Sequence, residues 1–309
     1  MPETPFLVTI DAEGDDLWSR PQRITTRNAA YLPRFQALCQ RYGFKPVYLA
    51  NFEMAMNIAF VEFARDVLAR GAGEVGMHLH AWNSPPLEPL TRDDFHYQPY
   101  LVEYPERVMR EKIRTLTGVL EDRFGCKMAS HRAGRWALDA RYAALLLEAG
   151  YRIDCSVTPG IDWRGAPGAP AGAGGADYRG FPDRPYYFSG ALLEVPVTIR
   201  SGGLYRRLPA LYRLPGLRRA ARTFSPGPRW LCPAESSLGQ MLQVAREARA
   251  EGAEHLEFAL HSSELMPGGS PAFRAAADIE RLYDDLEALF AALAPWCRGM
   301  TLQEFEARR

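Results

Sequence analysis

Two histidines stand one residue apart where an apolar run ends in EVGMHLHAWN, residues 74–83: His78 and His80. Alternate side chains of an extended strand share a face, so both imidazoles can address one ion. A second cluster lies near the N-terminus in TIDAEGDD, where Asp11, Glu13, Asp15 and Asp16 follow a strand-like run. Asp11 and Glu13 share a face if the strand extends that far. One carboxylate with two imidazoles is a ligand set that suits Zn²⁺, with Fe²⁺, Co²⁺ and Ni²⁺ as competitors. Three protein ligands and an open fourth position describe a catalytic rather than a structural zinc site. Each piece also has a plainer reading, an acidic turn or polar residues at a strand's exit from the core.

Three further candidates have side chains suited to such a site. His261, in LEFALHSSEL, titrates in the range that suits a general acid. His131 and Arg132 alternate in SHRAGRW, so one of them faces the centre, and Arg132 is expected there with a fork able to hold a carboxylate. Asp154, in GYRIDCSV, can orient an imidazole or cap a loop. His96 and His255 are assigned to surface or structural positions.

These residues need a scaffold that brings them together. Short apolar or β-branched runs recur at 6–10, 46–50, 74–80, 127–132, 152–157, 192–198 and 255–261, and segments of helical period lie between most of them. The helical pattern in PERVMREKIRTLTGVLEDRFG starts at Pro105 and stops at Gly125. Such alternation implies parallel strands joined by right-handed crossovers. The expected fold is therefore α/β: a distorted, incompletely closed seven-stranded (β/α) barrel. Active sites of such barrels lie at the carboxyl ends of the strands, where Asp11, Glu13, His78, His80, Arg132 and His261 fall.

In order and spacing, EVGMHLHAWNSPP, SHRAGRW, GYRIDCSVTPG and HSSELMPGGSP resemble the polysaccharide deacetylases of the NodB-homology type, carbohydrate esterase family 4. The likeness is strongest to a cytoplasmic subgroup associated with surface-polysaccharide and lipopolysaccharide gene clusters. It implies metal-dependent removal of the acetyl group from an N-acetylated sugar or glycan precursor. Carried over by position, Asp11 is the base, His78 the first metal histidine, Arg132 the arginine that steadies the base, Asp154 the residue that tunes the acid, and His261 the general acid. Two positions depart from the family pattern. Ala12 stands where a second aspartate is usual, leaving Glu13 as the substitute ligand with Asp15 or Asp16 as alternatives. Trp82 stands where the second histidine is usual, so His80 takes its place. Two other activities fit the same residues: hydrolysis of a non-sugar amide, and a barrel that binds carbohydrate without catalysis.

Composition sets the outer limits. The chain has 309 residues, 47% hydrophobic and 11% aromatic, which suits one globular domain over 1–309. Net charge is +0, so nothing global points to nucleic acid. Cys39, Cys126, Cys155, Cys232 and Cys297 are scattered, as expected of reduced thiols. The N-terminus has no basic n-region, and no apolar run is long enough to span a bilayer, so a cytoplasmic protein is expected. Two excursions interrupt the alternation, at about 158–190 and 200–232. RGAPGAPAGAGGADYRG, 164–180, reads as a flexible loop. Residues 200–230 carry Arg200, Arg206, Arg207, Arg213, Arg218, Arg219, Arg222 and Arg229 without an acidic residue. That segment is either a solvated excursion, a contact for a nucleotide- or lipid-diphosphate-linked sugar, or a peripheral membrane contact.

Overall fold

Alternation along the first strand decides which face of the sheet meets what. The computed structural model describes residues 3–172, 174–202 and 227–309. Strand β1 (Thr4–Ala12) sends Phe6, Val8, Ile10 and Ala12 into a large apolar cluster shared with the surrounding helices. Its alternate residue Leu7 joins a smaller cluster with Val47, Leu49, Ile153, Leu193, Met300 and Phe305. The first face is therefore the helix-covered outside, and the second is the interior.

The strands β2 (Pro46–Ala50), β3 (Glu74–Leu79), β4 (Ser130–Ala133) and β5 (Ile153–Asp154) follow β1 in order, each parallel to the last. The sheet then continues through β6 (Tyr186–Phe188), antiparallel to β7 (Leu192–Glu194), with β7 lying next to β5. A short antiparallel ribbon joins β8 (Ile199–Arg200) to β9 (Arg229–Trp230). Strand β10 (Leu256–His261) pairs along one edge of β1, and β11 (Cys297–Met300) lies beside the first half of β1. The main sheet thus has nine strands rather than the expected seven. The two additions, β6 and β11, are short and lack the apolar runs by which the other strands are recognised.

The sheet curls. Neighbouring strands lie about 4.8 Å apart, so a flat sheet would separate β1 from β4 by roughly 14 Å. Instead Arg132 on β4 bonds directly to Asp11 at 2.7 Å and to Thr9 at 2.6 Å on β1. Single backbone bonds rather than a continuous ladder span the remaining gap: Thr198 donates to Glu257 at 3.3 Å and Ala259 to Leu231 at 3.1 Å. The result is a mixed α/β half-barrel with a curled, mainly parallel sheet.

Helices cover the outside by burying one stripe each. Helix α1 (Leu32–Arg41) precedes β2, while α2 (Phe52–Ala55) and α3 (Ile58–Ala69) lead to β3. After the short α4 (Asp94–Tyr97), helix α5 (Glu106–Phe124) buries Val108, Met109, Ile113, Leu116 and Leu120 at helical spacing and ends on Gly125, whose φ of 67° is the left-handed cap that glycine adopts freely. Each such aliphatic side chain contributes about 1.5–3 kcal/mol on burial. Helices α6 (Ala140–Glu148), α7 (Leu238–Ala250) and α8 (Ala276–Leu293) complete the layer, and α9 (Leu302–Glu306) puts Leu302 and Phe305 into the interior cluster below β1.

The 158–190 excursion is more structured than its composition suggests. Asp162 and Asp177 form an isolated antiparallel bridge, Trp163 and Ala176 bond at 2.9 Å, and Tyr178 is buried. Arg164 and Arg179 each reach across both aspartates, tying the two sides together despite the glycines between them. Of the arginine-rich segment, Arg206, Arg207, Arg213, Arg218, Arg219 and Arg222 lie outside the described residues. Among the described residues, no helix is long and apolar enough to cross a membrane.

Candidate active site

Polar side chains replace the apolar interior toward the carboxyl ends of the strands. Above Leu7, the next inward residue Thr9 accepts from Arg132 and donates to Glu257 at 2.9 Å, and Arg132 also pairs with Glu257. Above that layer stand Asp11 on β1 with Glu13 just past its end, His78 on β3 with His80 just past its end, and His261 on β10, all inward by strand parity.

Glu13, His78 and His80 converge. Glu13 Oε2 lies 2.9 Å from His80 Nε2 and 3.4 Å from His78 Nε2, and the two Nε2 atoms lie 3.0 Å apart. His78 Nδ1 faces the Arg132 carbonyl at 3.0 Å. A carbonyl only accepts, so Nδ1 carries the hydrogen and Nε2 is left with its lone pair. Two imidazole Nε2 atoms and a carboxylate oxygen, all buried, therefore converge on one small space, a ligand set that a divalent cation fits. Glu13 is the carboxylate that the structure brings to the histidines. Asp15 does not reach them: it accepts from Thr25 at 2.7 Å and from Asn28 Nδ2 at 2.7 Å, fastening the loop instead. Asp16 sits in the left-handed region at φ 45° as the loop turns away. Glu13 is itself held through its backbone, donating to Ser262 at 3.1 Å and accepting from Asn28 at 2.8 Å.

Asp11 stands beside this group. Arg132 occupies Oδ1 at 2.7 Å, leaving Oδ2 4.0 Å from His78 Nε2 and 3.7 Å from His261 Nε2. Burial raises the Asp11 carboxyl, but Arg132, then His78 and His261, more than offset it, and the group is held below the usual carboxylate range. Burial likewise opposes ionisation of Glu13, yet hydrogen bonds to His78 and His80 keep it well below that range.

The partner of His261 is not the one expected. Asp154 bonds His131 Nδ1 at 2.5 Å, with Tyr142 on α6 at 2.8 Å from the other ring nitrogen. Parity explains the difference: Ile153 on β5 and Cys155 just past it face the interior cluster, so Asp154 between them points to the opposite, helix-covered face with His131. The carboxylate that orients His261 is Glu264, one 3₁₀ turn on, at 2.8 Å from Nδ1. Burial alone would lower the His261 pKa, but Glu264 raises it, with Glu13 and Asp11 adding to that, to about 10. The sequence does carry the signal for Glu264, an acidic residue three after a strand-end histidine in HSSE. His255, as expected, is structural: it is buried against the Pro196 carbonyl at 2.8 Å. His96 is not among the groups facing the centre.

The rim was less legible. Trp18 packs edge-on to His261 with ring centres 5.0 Å apart, and Trp82 lies 5.0 Å from His80 with its buried indole N–H unpartnered among the described residues. After β4 the chain turns sharply, with Arg135 at φ 56° and Trp136 at φ 61°, a conformation that costs non-glycine residues about 1–2 kcal/mol each. Gly134 permits this turn to press against the ligand set. A Cβ there would lie 2.5 Å from the Leu79 carbonyl and 2.7 Å from His80 Nδ1. Gly134→Ala should therefore displace His80 and weaken zinc affinity about 10–100-fold, the range for disturbing a ligand's support, as measured by competition with a chromogenic chelator.

Comparison with known proteins places the fold. No protein-family model matches the chain, and no curated protein matches it. Among solved structures, one described as a polysaccharide deacetylase from Mycobacterium smegmatis is 17% identical, covers 99% of this chain and 91% of that one, and superposes with a TM-score of 0.56. A 4-alpha-glucanotransferase from Thermococcus litoralis gives the same TM-score at 12% identity, with this chain spanning 41% of its length. The Xyl-CE4 domain of a multidomain xylanase from the hindgut metagenome of Trinervitermes trinervoides is 10% identical over 99% of this chain and 91% of that one, at a TM-score of 0.46. At these identities the likeness is one of fold. Two chemistries sharing one score show that activity must be argued from the site.

Proposed function

We propose that this chain is a metal-dependent hydrolase that removes the acetyl group from an N-acetylated sugar in surface-polysaccharide biosynthesis, with residues 1–309 forming one catalytic domain that works in the cytoplasm. The observation that carries the proposal is the convergence of Glu13, His78 and His80 beside a base-and-acid pair, Asp11 and His261, at the carboxyl ends of the strands. The likeness to the M. smegmatis structure supports it.

A divalent cation, Zn²⁺ before Fe²⁺, Co²⁺ or Ni²⁺, would be held by Glu13, His78 and His80 and would polarise the acetamide carbonyl and acidify water. The chain's own residues handle the protons. Arg132 fixes one oxygen of Asp11, leaving Oδ2 ionised and free to accept a proton. His261 carries its proton on Nε2 while Glu264 holds Nδ1, and Nε2 delivers that proton to the departing amine. Trp18 flanks the His261 ring and limits water on that side.

Acetate release from a panel of N-acetylated sugars, run beside metal analysis of the purified protein, tests this. Acetate release with about one bound metal per chain is expected. Metal without acetate release from any sugar, but with cleavage of other amides, would move the activity to non-sugar substrates, and a metal-free inert protein would leave only a binding barrel.

The pH profile gives an independent check. The acid works only while His261 is protonated, so activity should fall as pH rises through its folded value. Glu264→Gln removes the principal charge that raises that value. The alkaline limb of kcat/KM is then expected to move to lower pH, by a unit or more on the scale of a lost buried ion pair. An unmoved limb would remove His261 as the acid.

A further inference from the structure

Among the described residues, the half-buried Arg135 guanidinium has no carboxylate of its own. One terminal nitrogen donates to the Gln98 carbonyl, the guanidinium carbon lies 4.1 Å over the Tyr100 ring, and no ion pair to it exists among the described residues. The nearest acid, Glu103, is committed to the backbone of Tyr100 at 2.7 Å and of Ala169 at 3.2 Å. Arg20, exposed on the loop that also brings Trp18 to His261, donates its backbone N–H to the Leu17 carbonyl at 3.1 Å, the same carbonyl that Gln98, the acceptor of Arg135, reaches at 3.3 Å; it too has no ion-pair partner among the described residues. Burial lowers the Arg135 pKa, and Tyr100 and Glu103 raise it by less than burial and Arg20 take away, so the group is left below its ordinary value. Charged groups withdrawn from water are ordinarily paired. This one also sits in a strained turn, directly after Gly134, where a Cβ would lie 2.7 Å from His80 Nδ1.

We propose that Arg135, with Arg20 beside it, is an oxyanion subsite at the rim of the centre, and that the substrate is an acidic N-acetylated sugar whose phosphoryl or carboxylate group it holds. A guanidinium fork matches either group in a bidentate way, and Tyr100, stacked beneath it, holds its orientation. The contacts of Arg135 place it at the rim: Gln98, whose carbonyl holds Arg135, also donates from Nε2 to the Leu17 carbonyl at 3.3 Å, next to the Trp18 that packs on His261. The subsite's place in catalysis rests on the deacetylase reading, but its anion binding does not.

The test is equilibrium binding by calorimetry of N-acetylglucosamine 1-phosphate, the corresponding N-acetylated uronic acid and neutral N-acetylglucosamine to the full-length protein, to Arg135→Gln and to Arg20→Gln. At least one acidic sugar is expected to bind about 10–100-fold more tightly than the neutral one, the scale of a charge-assisted pair. Arg135→Gln should erase that preference to within about twofold and Arg20→Gln should reduce it, with the stronger acidic ligand naming the oxyanion. An equal affinity for all three sugars, or a preference that survives in a folded Arg135→Gln protein, overturns the proposal. If Arg135→Gln does not fold, an undiminished preference in Arg20→Gln does the same. A protein that shows the Arg135-dependent preference yet releases no acetate from any substrate keeps the subsite and discards the deacetylase reading.

Discussion

Asp11→Asn and His261→Ala should each lower acetate release by about 10²–10⁴-fold, the usual contribution of a positioned acid or base, while both proteins stay folded. Asparagine keeps an oxygen for Arg132, and Arg132 retains Glu257 and Thr9, so no buried charge is stranded. The loss of the Asp11 charge also removes one of the influences that hold Glu257 up at about 7, where burial is the leading cause, making Glu257 a better counter-ion for Arg132. His261 is partly open to solvent and stands at the sheet's edge, so its truncation leaves a small, hydratable gap. The two variants should separate in kind. His261→Ala should be rescued in part when the leaving amine is a weaker base that needs no proton, whereas Asp11→Asn should not. Near-wild-type turnover of either variant on a sugar that the wild type deacetylates would refute its assigned role.

How much of this was readable beforehand depended on parity. Wherever a strand was long, the two-residue period told inside from outside: Asp11 with Glu13, and His78 with His80, come out on one face, and Arg132 rather than His131 turns inward. Parity failed where the strand is short. β5 spans only Ile153–Asp154, too little for its alternation to show that Asp154 faces the helices. The seven parallel positions were visible because they are apolar and β-branched, whereas β6 and β11 form through pairing with a neighbour that is already there. Side chains that act across the barrel had no signal at all. Nothing local marks Glu257 as the second partner of Arg132, because that pairing depends on the curl of the sheet.

Metal removal should abolish activity outright, and this is the larger effect of the two because it removes the charge that Glu13, His78 and His80 would hold and that would polarise the substrate. Dialysis against a strong chelator is expected to bring acetate release to background and stoichiometric zinc to restore it. His78→Ala should bind the metal far too weakly to be restored at micromolar zinc. The metal-free protein should also melt earlier: ligand present at about a hundred times its dissociation constant stabilises a fold by about 2.7 kcal/mol, and the convergence of Glu13 Oε2 with two imidazole nitrogens must otherwise be relieved by a proton. That proton sets the pH dependence. Burial lowers the His78 pKa, but Asp11 and Glu13 outweigh it and leave it above the ordinary imidazole value, so protons compete for Nε2 already near neutrality. Zinc affinity should therefore rise with pH until His78 is deprotonated and fall away below, with a proton released for each ion bound. In Glu13→Gln the affinity should drop at every pH and the competition should move to lower pH without vanishing, because Asp11, which also favours the imidazolium, remains. A Glu13→Gln protein whose zinc affinity matched the wild type at every pH would show that the metal, if present, sits elsewhere.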